Sequence, residues 1–201
     1  MSEEAVGEVI GGELAYLLVG LYREKKDKVN MGDFVVVRSR SGDVVGIVCY
    51  LKFHSFIPPR PLGIKPEERR AVLPDVEDTI YVNSMCIAEV LTVGFTRDSE
   101  VHHGIPPFLP DIHDPVYIMD ENALRRFHLV NGSLRLGYLS RFIEEEIKYK
   151  PRVLAMLYRK INRHLNISLN EFLGELNRLS EELKGESASY SLVSLLTREL
   201  R

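Results

Sequence analysis

The chain has no tryptophan, no glutamine and only two cysteines. Cys49 and Cys86 stand far apart in apolar, strand-like runs, which argues against a disulfide scaffold or a cysteine zinc site. A pair of free thiols is expected. No signal-peptide pattern is present in "MSEEAVGEV", and the nearest apolar run, "LAYLLVGLY", falls far short of the ~20 residues that span a bilayer. A cytoplasmic protein without a membrane segment is the expectation. Charge of one sign is lacking too: the net charge is -3, with 27% charged residues. That argues against wrapping nucleic acid by bulk charge and leaves room for a local basic patch. Phosphate motifs are missing as well. No G-x-x-x-x-G-K-[ST] loop or G-x-G-x-x-G turn occurs, so ATP hydrolysis by this chain is not expected. Absent glutamine with plentiful Glu, Lys and Arg leans towards a thermophile.

What is present is enough apolar material for a core: 45% of 201 residues. The first half reads as strands. Val6 to Ile10 is short and extended, before the turn signal Gly11-Gly12. "ELAYLLVGLY" suits a strand or a helix and is read as a strand. "REKKDKVNMG" is a charged connection closing on Gly32. "DFVVVRS", the turn "RSGD" and "VVGIVCYLKF" make a hairpin, with Gly42 able to take positive φ and Gly46 fitting a bulge. Unbroken apolar runs imply burial on both faces, or closure into a barrel. "SFIPPRPLGIKP", with Pro58, Pro59, Pro61 and Pro66, reads as a rigid loop over the barrel mouth rather than a Pro-rich ligand. "PEERRAVLP" is a short helix, "TIYVNS" is ambiguous and "MCIAEVLTVGFTRD" is a long strand. "DENALRRFH" is a short helix capped by Asp120, and "GSLRLGYL" alternates as a strand with one buried face.

The last third reads as helical. "PRVLAMLYRKINRHL" opens on Pro151 and carries a stripe of Leu154, Leu157, Ile161 and Leu165. "SLNEFLGELNRLSEELKG" opens with Ser168 and Glu171 in capping-box spacing and stops at Gly185. Leu169, Phe172, Leu176, Leu179 and Leu183 step by three and four as a heptad seam. The seam packs on a neighbour in the same chain or on a partner. "SYSLVSLLTREL" is a final amphipathic helix. The expected fold is α+β, with a small N-terminal β-barrel over residues 1–140 and a helical region over 141–201.

Several places invite chemistry. "HHGIPPFLPDIHDPV" gathers His102, His103, His113, Asp111 and Asp114. Neighbours in extended chain point to opposite sides, so His102 and His103 do not suit one ion, and no zinc spacing fits. The expectation is no metal, no cofactor and no catalytic residue. Ser55 beside His54 and Cys86 lack the context of a nucleophile, and Glu144, Glu145 and Glu146 read as a solvated helix face. Arg152, Arg159, Lys160 and Arg163 form a basic set that could meet DNA phosphates, or is the polar side of an amphipathic helix.

The order of these pieces resembles the N-terminal HAS-barrel region of HerA-type archaeal DNA translocases. The carrying residues are "VGEVIG" from Val6, "GDFVVV" from Gly32, "VVGIV" from Val44, "IPPFLPD" from Ile105, "DENALRRF" from Asp120 and "GSLRLGYL" from Gly132. The resemblance covers roughly residues 5 to 140. It implies a small barrel that serves assembly and partner docking, and contact with the nuclease NurA during DNA-end processing. It also implies that the prolines near Pro106 form a strap leaving the barrel and that the histidines are incidental. The ATPase core of that family is missing here, so no ATP-site residue carries over and hexamer formation is in doubt.

Two readings follow, with a third behind them. The first is a non-catalytic module that binds a protein, a NurA-like nuclease or HerA-like ATPase, through the barrel and the seam Leu169, Phe172, Leu176, Leu179 and Leu183; a homo-oligomer is also open. The second is a DNA-binding accessory protein using Arg152, Arg159, Lys160 and Arg163. The third, least favoured, is an enzyme with a site around His102 and His113.

Overall fold

Alternation along single strands builds two cores here, one inside a barrel and one on its outer wall. The computed structural model describes residues 4–56, 65, 84–98, 100–130, 132–184 and 186–200. The Pro-rich stretch at 57–64, the helix read in "PEERRAVLP" and the ambiguous "TIYVNS" lie outside the described residues.

Among the described residues the barrel strands are β1 (Gly7–Gly12), β2 (Tyr16–Leu21), β3 (Phe34–Ser39), β4 (Gly42–Ser55), β5 (Ser84–Arg97) and, after β6 (Glu100–His103), β7 (Pro115–Ile118). The order β2-β1-β7-β3-β4-β5 closes when β5 returns to β2, from Tyr16 opposite Leu91 to Leu21 opposite Cys86. All these pairs are antiparallel. The fold is therefore α+β: a closed six-stranded barrel followed by helices. β6 hangs on β5 outside the ring.

The apolar runs read in the sequence are buried on both faces because the two faces serve different cores. On β3, Val35 and Val37 belong to the barrel interior with Val9, Val19 and Val90. Phe34, next in line, points out into a second cluster with Ile47, Leu91, Val93, Leu154, Leu157 and Phe172. Gly46 sits at a register shift between β4 and β5, and a Cβ there would collide with Val90. It is the bulge that lets β4 bend round the barrel. Gly42, at φ 133°, closes the β3–β4 turn.

From Gly104 the chain crosses one end of the barrel to β7. Phe108 packs against Phe95 at 5.8 Å, and the Gly104 N–H donates to the Val93 carbonyl at 2.9 Å. Strands β1 and the strap are tied by the His113 N–H to Val9 O (2.8 Å) and the Val9 N–H to Asp114 O (3.0 Å). The stretch 104–114 is thus a strap tied along β1.

Helix α1 (Glu121–His128) begins where expected, with Asp120 Oδ1 accepting the Ala123 N–H at 2.8 Å. The strand expected over "GSLRLGYL" does not form as read. Only Ser133–Leu134 (β9) pairs, with Leu129–Val130 (β8), and Gly137–Leu139 turns into a 3-10 helix. The cause is Tyr138, which is fully buried and whose hydroxyl bonds His128 Nε2 at 2.9 Å. Reaching that partner takes the chain off the strand path. Short α2 (Ser140–Glu144), then α3 (Lys150–Leu165), α4 (Leu169–Lys184) and α5 (Glu186–Leu200) follow. Glu144 and Glu145 are not a free acidic face: both hold the buried Arg141, at 3.3 and 2.8 Å. The expected boundary near residue 140 separates barrel from helices in sequence, but one apolar cluster runs through both.

Candidate functional site

A groove of about 870 Å³ lies on the outside of the barrel, between its wall and α1. Its floor is apolar: Val36, Val45, Met119 and Phe127. Val45, Met119 and Phe127 belong to the outer apolar cluster, and Val36 packs against it. Its rim is charged. Arg38 lies over the Tyr117 ring at 4.4 Å, beside its register partner Asp43. Burial pushes the Asp43 carboxyl up, and Arg38 opposes that shift. Asp120 is spent on the helix cap and Glu100 faces His102 at 3.8 Å. Arg126 and Arg135, both exposed, complete the rim and make no ion pair among the described residues.

One wall of the groove is the edge of β6. The hydrogen bond from Gly104 to Val93 and the pairing of Arg97 with Glu100 fix which main-chain groups face β5. By the antiparallel alternation, the N–H and C=O of Val101 and His103 face the other way. Among the described residues no strand pairs with that side. An unpaired edge beside an apolar floor can take an added strand.

The histidines of the strap diverge. His102 stacks on Phe95 at 4.7 Å; His103, on the other side of β6, meets Phe127 at 4.5 Å and bonds the Phe127 carbonyl through Nε2 at 3.0 Å. His113 faces Glu8 at 3.3 Å across β1. Among the described residues no three His, Cys, Asp or Glu side chains gather as a metal would require. Both thiols are free; burial holds Cys49 up at about 12 and raises Cys86.

The seam of α4 faces inward. Phe172 and Leu176 are fully buried and Leu179 is 8% exposed, so these three are core and not surface. Leu169 is half-buried, and of the five only Leu183, at 45%, is open. The partner surface read into this seam is thereby corrected: a knob that fills the chain's own core cannot also fill a partner. On α3, Arg152, Arg159 and Arg163 are exposed, while Lys160 is turned aside to Asp33 at 2.6 Å. Lys160 is a strut between helix and barrel rather than a free cation. The groove residues Val101, Arg126 and Arg135 went unnoticed in the sequence. The alternation of "EVHH" against "VGFT" was a signal for β6, but the histidines drew attention to side chains instead of the strand edge.

A family model described as "Domain of unknown function (DUF8166)" matches residues 67–185, more than half of the chain. The chain belongs to this family. No curated protein matches it. The DUF8166 match runs from before β5 through β6, the strap, α1 and on to α4, so it contains the β6 edge, Arg126, Arg135 and all of α3. No helix among the described residues is long and apolar enough to cross a membrane.

Proposed function

We propose that the protein is a non-catalytic barrel module of the cytoplasm that assembles with another protein by accepting an extended segment along β6. The observation that carries this is the outward edge of β6, which pairs with no strand among the described residues, beside an apolar floor and the exposed Arg126 and Arg135. Main-chain bonds to Val101 would supply affinity, the floor would take alternate side chains, and Arg126 and Arg135 would select acidic ones. The HAS-barrel resemblance names the first partners to try, a NurA-like nuclease and a HerA-like ATPase in DNA-end processing. Light scattering on a sizing column tests the reading, with the chain alone and mixed with each. A stable mixed species is expected. Val101→Pro removes one outward N–H and leaves the ladder to β5 intact; it should cut complex formation at least tenfold without lowering the melting temperature by more than a few degrees. An undiminished complex with Val101→Pro and with Arg135→Glu would move docking elsewhere.

A second reading has its own observation. From residue 147 to 170 the chain holds Lys148, Lys150, Arg152, Arg159, Lys160 and Arg163 and no acid, in a protein of net charge -3. Such a local excess suits phosphate contact.

A further inference from the structure

The start of α3 carries an arrangement that a plain basic helix face does not require. Tyr149 is 56% exposed yet held at φ 57°, a left-handed conformation that costs an ordinary side chain energy. In that conformation its ring stands 6.2 Å from the ring of Tyr50 on β4, tilted by 34°. Lys148 sits beside both: its Nζ lies 4.4 Å from the Tyr50 ring centroid and 5.5 Å from that of Tyr149, and donates to Tyr50 Oη at 3.0 Å. Arg152, with Met31 and Leu51, borders the same open cleft of about 240 Å³. That is below the roughly 300–1,000 Å³ of small-molecule pockets. The two tyrosine rings in its lining make it a small aromatic shelf.

From this shelf a line of cations leads away. Arg159 and Arg163 follow Arg152 by seven and eleven residues, which at about 100° per residue keeps all three within about 20° of one line over about 16 Å. Glu89 of the barrel, whose charge acts on Lys148, is engaged by Lys52 at 2.6 Å. Aromatic faces beside a cationic track are what a single strand recognises, because every unpaired base offers a π-face and every linkage a phosphate. A duplex hides its bases and would use the cations alone.

We propose that Tyr50, Lys148, Tyr149 and Arg152 form a platform on which an unpaired base stacks, with Arg159 and Arg163 tracking the phosphates of the same single strand. This lies on a face separate from the β6 groove and stands or falls without it. The test is fluorescence anisotropy of the full chain with a labelled oligo-dT strand, a duplex of equal length and a labelled oligoglutamate. Tighter binding of the single strand is expected, weakening as salt rises. Tyr149→Phe should keep it. Tyr149→Asn, which suits the left-handed backbone and removes the ring, should weaken it roughly five- to 150-fold, the range of one stacked base, while leaving the melting temperature level or higher. Arg159→Glu should weaken it with a shallower salt slope. Equal binding of duplex and single strand, or unchanged binding by Tyr149→Asn, overturns the platform. Oligoglutamate binding as tight as oligo-dT would mark a surface for acidic protein and overturn it too. So would no binding of any probe at low salt.

Discussion

His128 shows how one buried side chain can set a stability limit. Its Nδ1 meets the Leu124 carbonyl at 2.8 Å and its Nε2 meets the Tyr138 hydroxyl at 2.9 Å. The geometry assigns the proton to Nδ1, so that the tyrosine donates to Nε2. Phe34 and Phe127 stand edge-on to the ring at 5.1 and 5.3 Å. Burial depresses the imidazole from 6.5 to about 4, and the charge of His103 adds to that. The folded state thus binds its proton later than the unfolded chain does. Stability from this residue is complete above about pH 6.5 and is lost as pH falls towards 4, by about 3 kcal/mol at one unit per 1.36 kcal/mol. Urea unfolding at pH 7 and 4.5 checks this. His128→Phe should cost about 1–3 kcal/mol at pH 7, because the Tyr138 hydroxyl loses its partner. It should also lose much less on acidification than the native chain. An equal loss in both would show that other groups carry the acid sensitivity. None of this was legible in "RRFHLV", where the histidine reads as a helix end. A sequence shows spacing, and the partner that decides His128 lies ten residues on, in a segment read as a strand.

At the scale of elements, caps and turns were the legible part. The capping box read at Ser168 forms: its N–H donates to Glu171 Oε2 at 2.8 Å, and Glu171 returns its N–H to Ser168 Oγ at 3.2 Å. Gly42 and Gly46 do what a hairpin turn and a bulge ask of them. These signals are local, so they survive whatever packs around them. The heptad seam was legible as a stripe but not as an interface, since periodicity gives a face and not its neighbour. Burial decides that question and yields a prediction. Ser168→Ala should cost about 1 kcal/mol, as lost caps do. Leu176→Asp puts a charge where a side chain is fully buried and should unfold the chain or lower its midpoint severely. Circular dichroism melts of the two variants check the contrast. A Leu176→Asp protein that melts like the native one, but no longer associates, would return the seam to the role of a partner surface.

At the scale of the molecule, the barrel and helices act as one body because the barrel wall is only half finished without them. Phe34, Ile47, Leu91 and Val93 face outward from strands β3, β4 and β5, are 0% exposed and belong to one apolar cluster with Leu154, Leu157 and Phe172. Lys160 reaches from α3 to Asp33, which also accepts the Asn30 N–H at 2.9 Å, so the strut is anchored in a turn. The sequence divides at residue 140 because strand periodicity gives way to helix periodicity there. A change of period marks a change of element, and only contacts mark a domain. Truncation after residue 140 should therefore bare a contiguous apolar patch on the barrel and give an aggregating, poorly folded product. Hydrogen exchange on the full chain offers the positive form of the same test. Amides of Val45, Val93 and Leu157 should open with the same free energy, that of global unfolding, since they share one core. If Leu157 exchanged through a smaller opening while the shortened barrel stayed soluble and melted cooperatively, the helices would be a detachable domain. The β6 groove, whose far wall is α1, would then belong to the barrel piece alone, and partner binding should survive in residues 1–140. One unit predicts instead that docking, like folding, needs the whole chain.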